Sequence, residues 1–347
     1  MSAQRKERVV PLTCWPRRAF FSIVTIFIYT VIVLALAELG LRAMGFTPRR
    51  ASDSRLAESM FIPDQEFGWV NRPGTILSTE QGHVPMTFLA DNTRRSWKAS
   101  TKANQRAQVL MVGCSFTQGM GVVDEDTFSY LLNAHYPYLM FRNFGTGGYG
   151  TYQSLLRVKE NLRQPDADNI PLVVYGFIDL HMQRNVAVPD WVRSLADRRD
   201  HYVIPPHVRL AKDGLQQYGL ETIPFWPLES HSAIVTLLAN AFLDFHLRKH
   251  GSQLGATTDL IGQMNRLVVG QHKRFLIALL NHPPKGLVPF LESQKIDYVN
   301  CDNPAFDRIP SAFRLGGFQH PNAAQHALWA TCIGNWIDHE MPTLAKQ

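Results

Sequence analysis

Residues 107–119 read AQVLMVGCSFTQG, and this stretch decides the fold. Seven residues, nearly all apolar, end in Gly113. So short and unbroken a run is the pattern of a strand buried on both faces of a parallel sheet. Ser115 follows where the strand hands over to the next element. In an open α/β sheet that place is the carboxyl edge, where ligands bind. The Ser115 hydroxyl is then exposed at the edge, with its own N–H free to face an oxyanion.

Working outward, the same pattern recurs. YLMFRNF (138–144), PLVVYGF (171–177), FLIALLN (275–281) and IDYVNC (296–301) read as further strands. Helical patterns fall between them, at 127–135, 151–162, 233–250, 258–273 and 288–293, with a last one at 322–339. Asp124 and Asp126 are candidate N-caps for the first. The alternation predicts a doubly wound, flavodoxin-like parallel sheet of about five strands over residues 107–347. Residues 186–230 interrupt it, too long for an ordinary connection, and read as a lid or pocket wall. Residues 40–106 read as an irregular juxtamembrane segment that packs on the main domain through Phe67, Trp69 and Phe88.

Residues 19–39, AFFSIVTIFIYTVIVLALAEL, carry no charge before Glu38. About 20 helical residues cross a bilayer's hydrocarbon core, and a cleaved signal would be shorter and end in small residues. The stretch therefore predicts a single membrane-spanning anchor. Arg5, Lys6, Arg8, Arg17 and Arg18 precede it, which holds residues 1–18 in the cytoplasm and exports the rest. Arg42, Arg49, Arg50 and Arg55 follow the span and oppose that bias. The expected location is the inner membrane, with the folded part on the periplasmic side.

The net charge of +6 belongs largely to that N-terminus, since the other 329 residues hold 30 basic and 28 acidic side chains. No basic face remains for a nucleic acid. Four cysteines do not make a framework. Cys14 falls in the cytoplasmic segment and Cys114 beside Ser115. Cys301 and Cys332 are free to pair in an exported domain, and the sequence alone leaves that open. Of 13 histidines only His246 and His250 share i,i+4 spacing, in a basic helix end, so no metal site is expected.

Three segments fall at carboxyl edges: Gly113–Thr117, the glycine-rich RNFGTGGYGTYQ (142–153), and LGGFQHPNAAQHALWA (315–330), where His320 precedes a helix expected to open at Pro321. Gly113, Ser115 and Thr117, the run from Gly119 to Leu132, Asn143 with Gly148, Gly176-Phe177-Ile178-Asp179, and His320-Pro321 come in that order. Together they resemble the SGNH (GDSL-type) hydrolase family, in its membrane-anchored bacterial form, over roughly residues 107–338. Three positions depart from the family pattern: Cys114 stands for its Asp, Ile178 for its oxyanion Asn, and Gly317 for the acid before its His.

The resemblance implies Ser115 as nucleophile and His320 as base, with the Ser115 and Gly148 N–H groups in an oxyanion hole and no cofactor. Asn185 is the available amide for a third donor. Asp302, Asp307 or a backbone carbonyl is left to orient His320. The implied activity is a serine esterase cleaving an O-acyl, and by preference an O-acetyl, ester of a small molecule or glycan. Two alternatives stay open: an O-acyltransferase using the same residues, and a degenerate domain that binds a glycan or partner protein without turnover.

Overall fold

The computed structural model describes residues 17–49, 60–78, 83–98, 107–196, 201–247, 251–315 and 320–345. Cys14, the basic residues before Arg17, Arg50, Arg55, His250 and Gly317 lie outside the described residues. The chain divides into two units, Met1–Arg50 with Phe225–Phe242, and Ala51–Pro224 with Leu243–Gln347.

The first unit opens with helix α1 (Arg17–Ala43). Its stretch Ala19–Ala43 is long and apolar enough to cross a membrane. Its large side chains face outward, Phe27 being 68% exposed.

In the second unit, the segment expected to be irregular contains two antiparallel strand pairs. They are β1 (Phe61–Asp64) with β2 (Gly68–Asn71), and β3 (Gly74–Leu77) with β4 (Pro85–Phe88). The main sheet follows. Strand β5 (Ala107–Gly113) leads into a single helical turn, α2 (Ser115–Gln118), and then helix α3 (Phe128–His135). Next come β6 (Leu139–Asn143), α4 (Thr151–Asn161), β7 (Leu172–Phe177) and α5 (His181–Asn185).

The expected lid is α6 (Pro189–Ala196) and four short strands: β8 (His201–Ile204), β9 (His207–Ala211), β10 (Gly214–Tyr218) and β11 (Glu221–Pro224). Strand β9 pairs with β10 and β8 with β11. These hairpins escaped the sequence reading because four- and five-residue strands hold too few alternations to show a period. The chain closes with α7 (Ala233–Leu247), α8 (Gln253–Val269), β12 (Arg274–Leu279), α9 (Leu287–Ser293), β13 (Asp297–Asn300) and α10 (Ala323–Glu340).

The sheet order is β13-β12-β7-β5-β6, all parallel. Counted along the chain this is 2-1-3-4-5, the flavodoxin-like order expected. Alternate residues of the central strands feed two cores. Leu110, Val112, Val173, Tyr175 and Ile277 pack toward α4 and α8, against Leu155, Val158, Leu260 and Met264. Val109, Met111, Val174, Leu276 and Ala278 face the other way, against Phe128 and Leu132 of α3 and Trp329 and Ile333 of α10. Each of these residues is almost wholly buried, so the strands read as unbroken apolar runs.

Two caps differ from expectation. Thr127, not Asp124 or Asp126, caps α3, its hydroxyl accepting from Tyr130 N at 3.3 Å. The Asp124 carboxylate instead meets buried Arg94 at 2.8 Å, a stronger partner than a helix N–H. At α10 the cap is Asn322, which accepts from Gln325 N, so Pro321 stays outside the helix. Cys301 and Cys332 form a disulfide that ties the end of β13 to α10.

Within the first unit, Glu38 of α1 accepts from the Ser232 hydroxyl (2.9 Å) and from the N–H groups of Ala233 (2.8 Å) and Ile234 (3.1 Å) at the start of α7. A carboxylate there satisfies orphan donors of the first turn and complements the helix dipole. Arg49, itself buried, pairs with Glu229 at 2.7 Å.

Candidate active site

Strand β5 ends where Thr117 folds back beneath it. A Cβ at Gly113 would fall 2.1 Å from Thr117 Oγ1, and one at Gly176 of β7 would fall 2.3 Å from the same atom. Glycine at both positions lets the turn tuck against the sheet. Cys114 stays extended (φ −99°, ψ −155°), and Ser115 opens α2, so its N–H lies in a first turn with no intrahelical partner. Ser115 is 5% exposed.

His320 arrives from the far end of the chain. Its Nε2 lies 3.0 Å from Ser115 Oγ, hydrogen-bond distance, across 205 residues of sequence. Its backbone oxygen accepts from Leu315 N at 2.7 Å, and Arg314 bridges to Pro321. The Phe116 ring meets the imidazole edge-on at 6.0 Å and stacks on Trp329 at 5.8 Å. These contacts hold both the loop and the ring of His320.

The glycine-rich turn after β6 forms the opposite wall. Asn143 is fully buried and shapes it, donating to Thr117 O (2.7 Å) and Ser129 Oγ (2.9 Å) and accepting from Gly145 N (2.9 Å). Gly148 sits at φ +83°, in the left-handed region, and a Cβ there would lie 2.9 Å from Trp69 and 3.2 Å from Trp191. Trp69 donates its indole N–H to Gly147 O at 2.8 Å, and the Arg184 guanidinium lies over the Trp191 ring at 4.9 Å. Trp191 belongs to α6 of the insertion, which therefore contributes a wall beside Gly148. The sequence reads 186–230 as a lid or pocket wall and Trp69 as a packing residue, but it does not set either tryptophan beside Gly148. Their role emerges only when Gly148 is seen between them.

Asn185 is a correction. Its amide donates to Thr151 Oγ1 (2.9 Å) and Thr257 Oγ1 (2.8 Å), while its oxygen accepts from Tyr152 N (3.1 Å). Both donor hydrogens are spent in the core, and the side chain is fully buried. It belongs to the packing of α4 against α8 and is not available as a third oxyanion donor. Ile178 is fully buried too.

The aspartates considered as orienters are held elsewhere. Asp302 lies 3.2 Å from His282 Nδ1, and Asp307 pairs with Arg314. Asp179 accepts from Asn281 Nδ2 at 2.7 Å and returns its own N–H to Asn281 Oδ1 at 3.1 Å, joining the ends of β7 and β12. His246 contacts Glu221 at 3.2 Å.

A second imidazole lies behind the pair. His326 is fully buried against Phe128, whose N–H it accepts through Nδ1 at 3.3 Å. Burial first, then the charges of Arg94 and His320, push its pKa down to about 3.

The second unit is thus a doubly wound α/β domain with a serine–histidine pair at the carboxyl edge of strand β5. No protein-family model matches the chain, and no curated protein matches it. Among solved structures it is similar to a member of the lipolytic protein G-D-S-L family from Veillonella parvula (10% identity, TM-score 0.38, covering 68% of this chain and 98% of that one). It is also similar to a catalytic mutant of the acetylxylan esterase Axe2 from Geobacillus stearothermophilus (12%, TM-score 0.37, 66% and 93%). A third is the psychrotrophic esterase EstA from Pseudoalteromonas sp. (12%, TM-score 0.37, 68% and 99%). Likeness at this level carries no argument about activity, which rests on the geometry above.

Proposed function

We propose that this chain is a membrane-anchored serine esterase acting on an O-acyl ester, by preference an O-acetyl ester. The observation that carries the reading is the 3.0 Å approach of His320 Nε2 to Ser115 Oγ. An alcohol is a weak nucleophile at neutral pH, and an imidazole at this distance takes its proton as it attacks. Ser115 Oγ adds to the ester carbonyl and its proton moves to Nε2. The N–H groups of Ser115 and Gly148 receive the charge that develops on the carbonyl oxygen. Collapse expels the alcohol, which takes the proton from Nε2, and leaves acyl-Ser115. Water then attacks with Nε2 as base and releases the acid. A sugar hydroxyl in place of water makes the same residues an O-acyltransferase.

In this reading Ser115 and His320 act as a dyad, because Asp302 and Asp307 are occupied by His282 and Arg314. The Leu315 N–H on the His320 carbonyl and the Phe116 ring hold the histidine in place. Residues 19–39 anchor the chain in the inner membrane, and the basic N-terminus keeps residues 1–18 cytoplasmic. The Cys301–Cys332 disulfide supports an oxidising, periplasmic location for the folded part. A site held near a membrane surface suits glycan or lipid-linked esters.

One observation favours a second reading, a binding domain without turnover: apolar Ile178 is buried where the family places a polar donor. Both readings meet the same test. Full-length protein in detergent is assayed with an activated acetyl ester and labelled with a serine-reactive phosphonate. Ser115→Ala is expected to lower turnover by about 10³-fold or more and to abolish labelling. Unchanged turnover in the variant removes Ser115 as nucleophile, and folded wild type that neither labels nor turns over supports the binding domain.

A further inference from the structure

Helix α7 is apolar on two opposite faces. Ala233 and Ala239 are buried, yet Leu237, Leu238 and Phe242 are 42, 53 and 41% exposed. Those three positions lie on one side of the helix. In the turn before the helix Leu228 is 66% exposed, and Trp226 packs its ring on Phe242 at 5.7 Å. A helix face that meets water carries polar side chains, whereas a contiguous apolar face with aromatic members meets protein or lipid.

The origin of the helix selects between them. Glu38 accepts three hydrogen bonds from Ser232, Ala233 and Ile234, and Arg42 Nη2 donates to His231 O at 2.7 Å. The first turn of α7 is therefore fixed to the C-terminal end of α1. Roughly 20 helical residues fill a hydrocarbon core, and counted from Ala19 the twentieth is Glu38. A carboxylate is confined to the edge of the core. The start of α7 thus sits at the level where tryptophan and exposed apolar side chains partition into a membrane.

We infer that α7 and the turn before it form a second membrane contact, lying with the Leu237–Phe242 stripe against lipid at the headgroup–acyl boundary. The inference rests on the reading of residues 19–39 as a transmembrane span. The occupant of the face is a lipid surface, and a second copy of this chain is the alternative that the experiment separates.

The test uses full-length protein with Cys14→Ser, since Cys114 is buried and Cys301 and Cys332 are paired. Leu238→Cys and, separately, Ile28→Cys carry an environment-sensitive fluorophore in phosphatidylethanolamine–phosphatidylglycerol vesicles. Quenching by a doxyl group on the acyl chain is compared with quenching by aqueous iodide. At residue 238, lipid quencher is expected to remove roughly half the emission or more, and iodide much less, as for a side chain buried 5–10 Å into the boundary. Iodide quenching at 238 with lipid quenching at 28 overturns the inference and leaves the span standing. Protection from both quenchers at 238 means that protein covers the face, which also overturns it. Lipid quenching at 238 without any at 28 overturns the span and leaves the lipid contact.

Discussion

Asp124 Oδ1 lies 2.8 Å from Arg94 Nε with both side chains out of water. The same guanidinium donates to the carbonyls of Val122 (2.7 Å) and Gly119 (3.1 Å), in the loop that leaves the Ser115 turn. Burial pulls the Arg94 pKa down to about 10, with Asp124 opposing the shift, so the group stays charged at neutral pH. One cation from the 83–98 segment thus holds the loop that follows the Ser115 turn. Arg94→Met leaves these acceptors buried and is expected to destabilise the fold by about 3–5 kcal/mol, lowering the thermal midpoint by roughly 6–15 °C. An unchanged midpoint contradicts the assignment.

In the proposed mechanism Ser115 and His320 act on one proton, so their losses do not add. Ser115→Ala, His320→Ala and the double variant are each expected to retain about 10⁻³ or less of the wild-type kcat, within a few-fold of one another. A double variant far below either single one indicates two independent contributions and breaks the dyad.

Asn185 and Gly148 separate structure from chemistry. Asn185→Ala leaves the Tyr152 N–H without its acceptor and takes one hydrogen bond each from the Thr151 and Thr257 hydroxyls, so the expected effect is on stability, about 1–3 kcal/mol, with kcat near wild type at low temperature. Gly148→Ala forces a Cβ to within 2.9 Å of Trp69 and so displaces the N–H proposed as an oxyanion donor. Its expected effect is a kcat loss of about 10²-fold. Kinetics paired with thermal melts distinguish the two, and a catalytic defect in folded Asn185→Ala restores it to the site.

Stability depends on acid in a defined direction. The His326 pKa falls from 6.5 to about 3, and burial, then Arg184, holds His181 well below the ordinary value. Below pH 6.5 the unfolded chain binds protons that the folded one refuses, so stability is full above that pH and drains as pH falls. Each histidine contributes a slope of about 1.4 kcal/mol per pH unit through its window. Denaturation between pH 7 and 4.5 measures it, and His326→Gln is expected to make the slope shallower by one proton. An unaltered slope in that variant means His326 is not a contributor.

Reduction of Cys301–Cys332 opens a loop of sequence separation 31 that contains His320. The expected loss is about 2–4 kcal/mol. Cys332→Ser should lower the melting temperature to the value of reduced wild type, and added reductant should then do nothing more.

The sheet was legible because its five strands are short apolar runs. Ser115 was legible because it breaks such a run directly after Gly113, where the chain leaves the sheet at its carboxyl edge. His320 was legible only through its place in an ordered set of motifs. Arg94 was not, since a fully buried arginine looks like any surface arginine until its acceptors are folded around it. Asp124 and Asp126 looked like helix caps by type and position, and a competing cation took one of them. Asn185 carried the right functional group at the right end of β7, but hydroxyls from α4 and α8, distant in sequence, claimed its hydrogens. The hairpins of the insertion were too short to show a period.

The order in which the sheet is laid down bears on when the molecule becomes reactive. The first-made strand of the main sheet, β5, is an interior strand that leads into the serine, while its neighbours β6 and β7 are added on either side and β12 and β13 join later. The histidine follows all of them. A chain emerging amino end first therefore displays Ser115 long before His320 can reach it. On the proposed mechanism, a product cut short before His320 is chemically silent, and one of the last-made segments of the domain is what arms it.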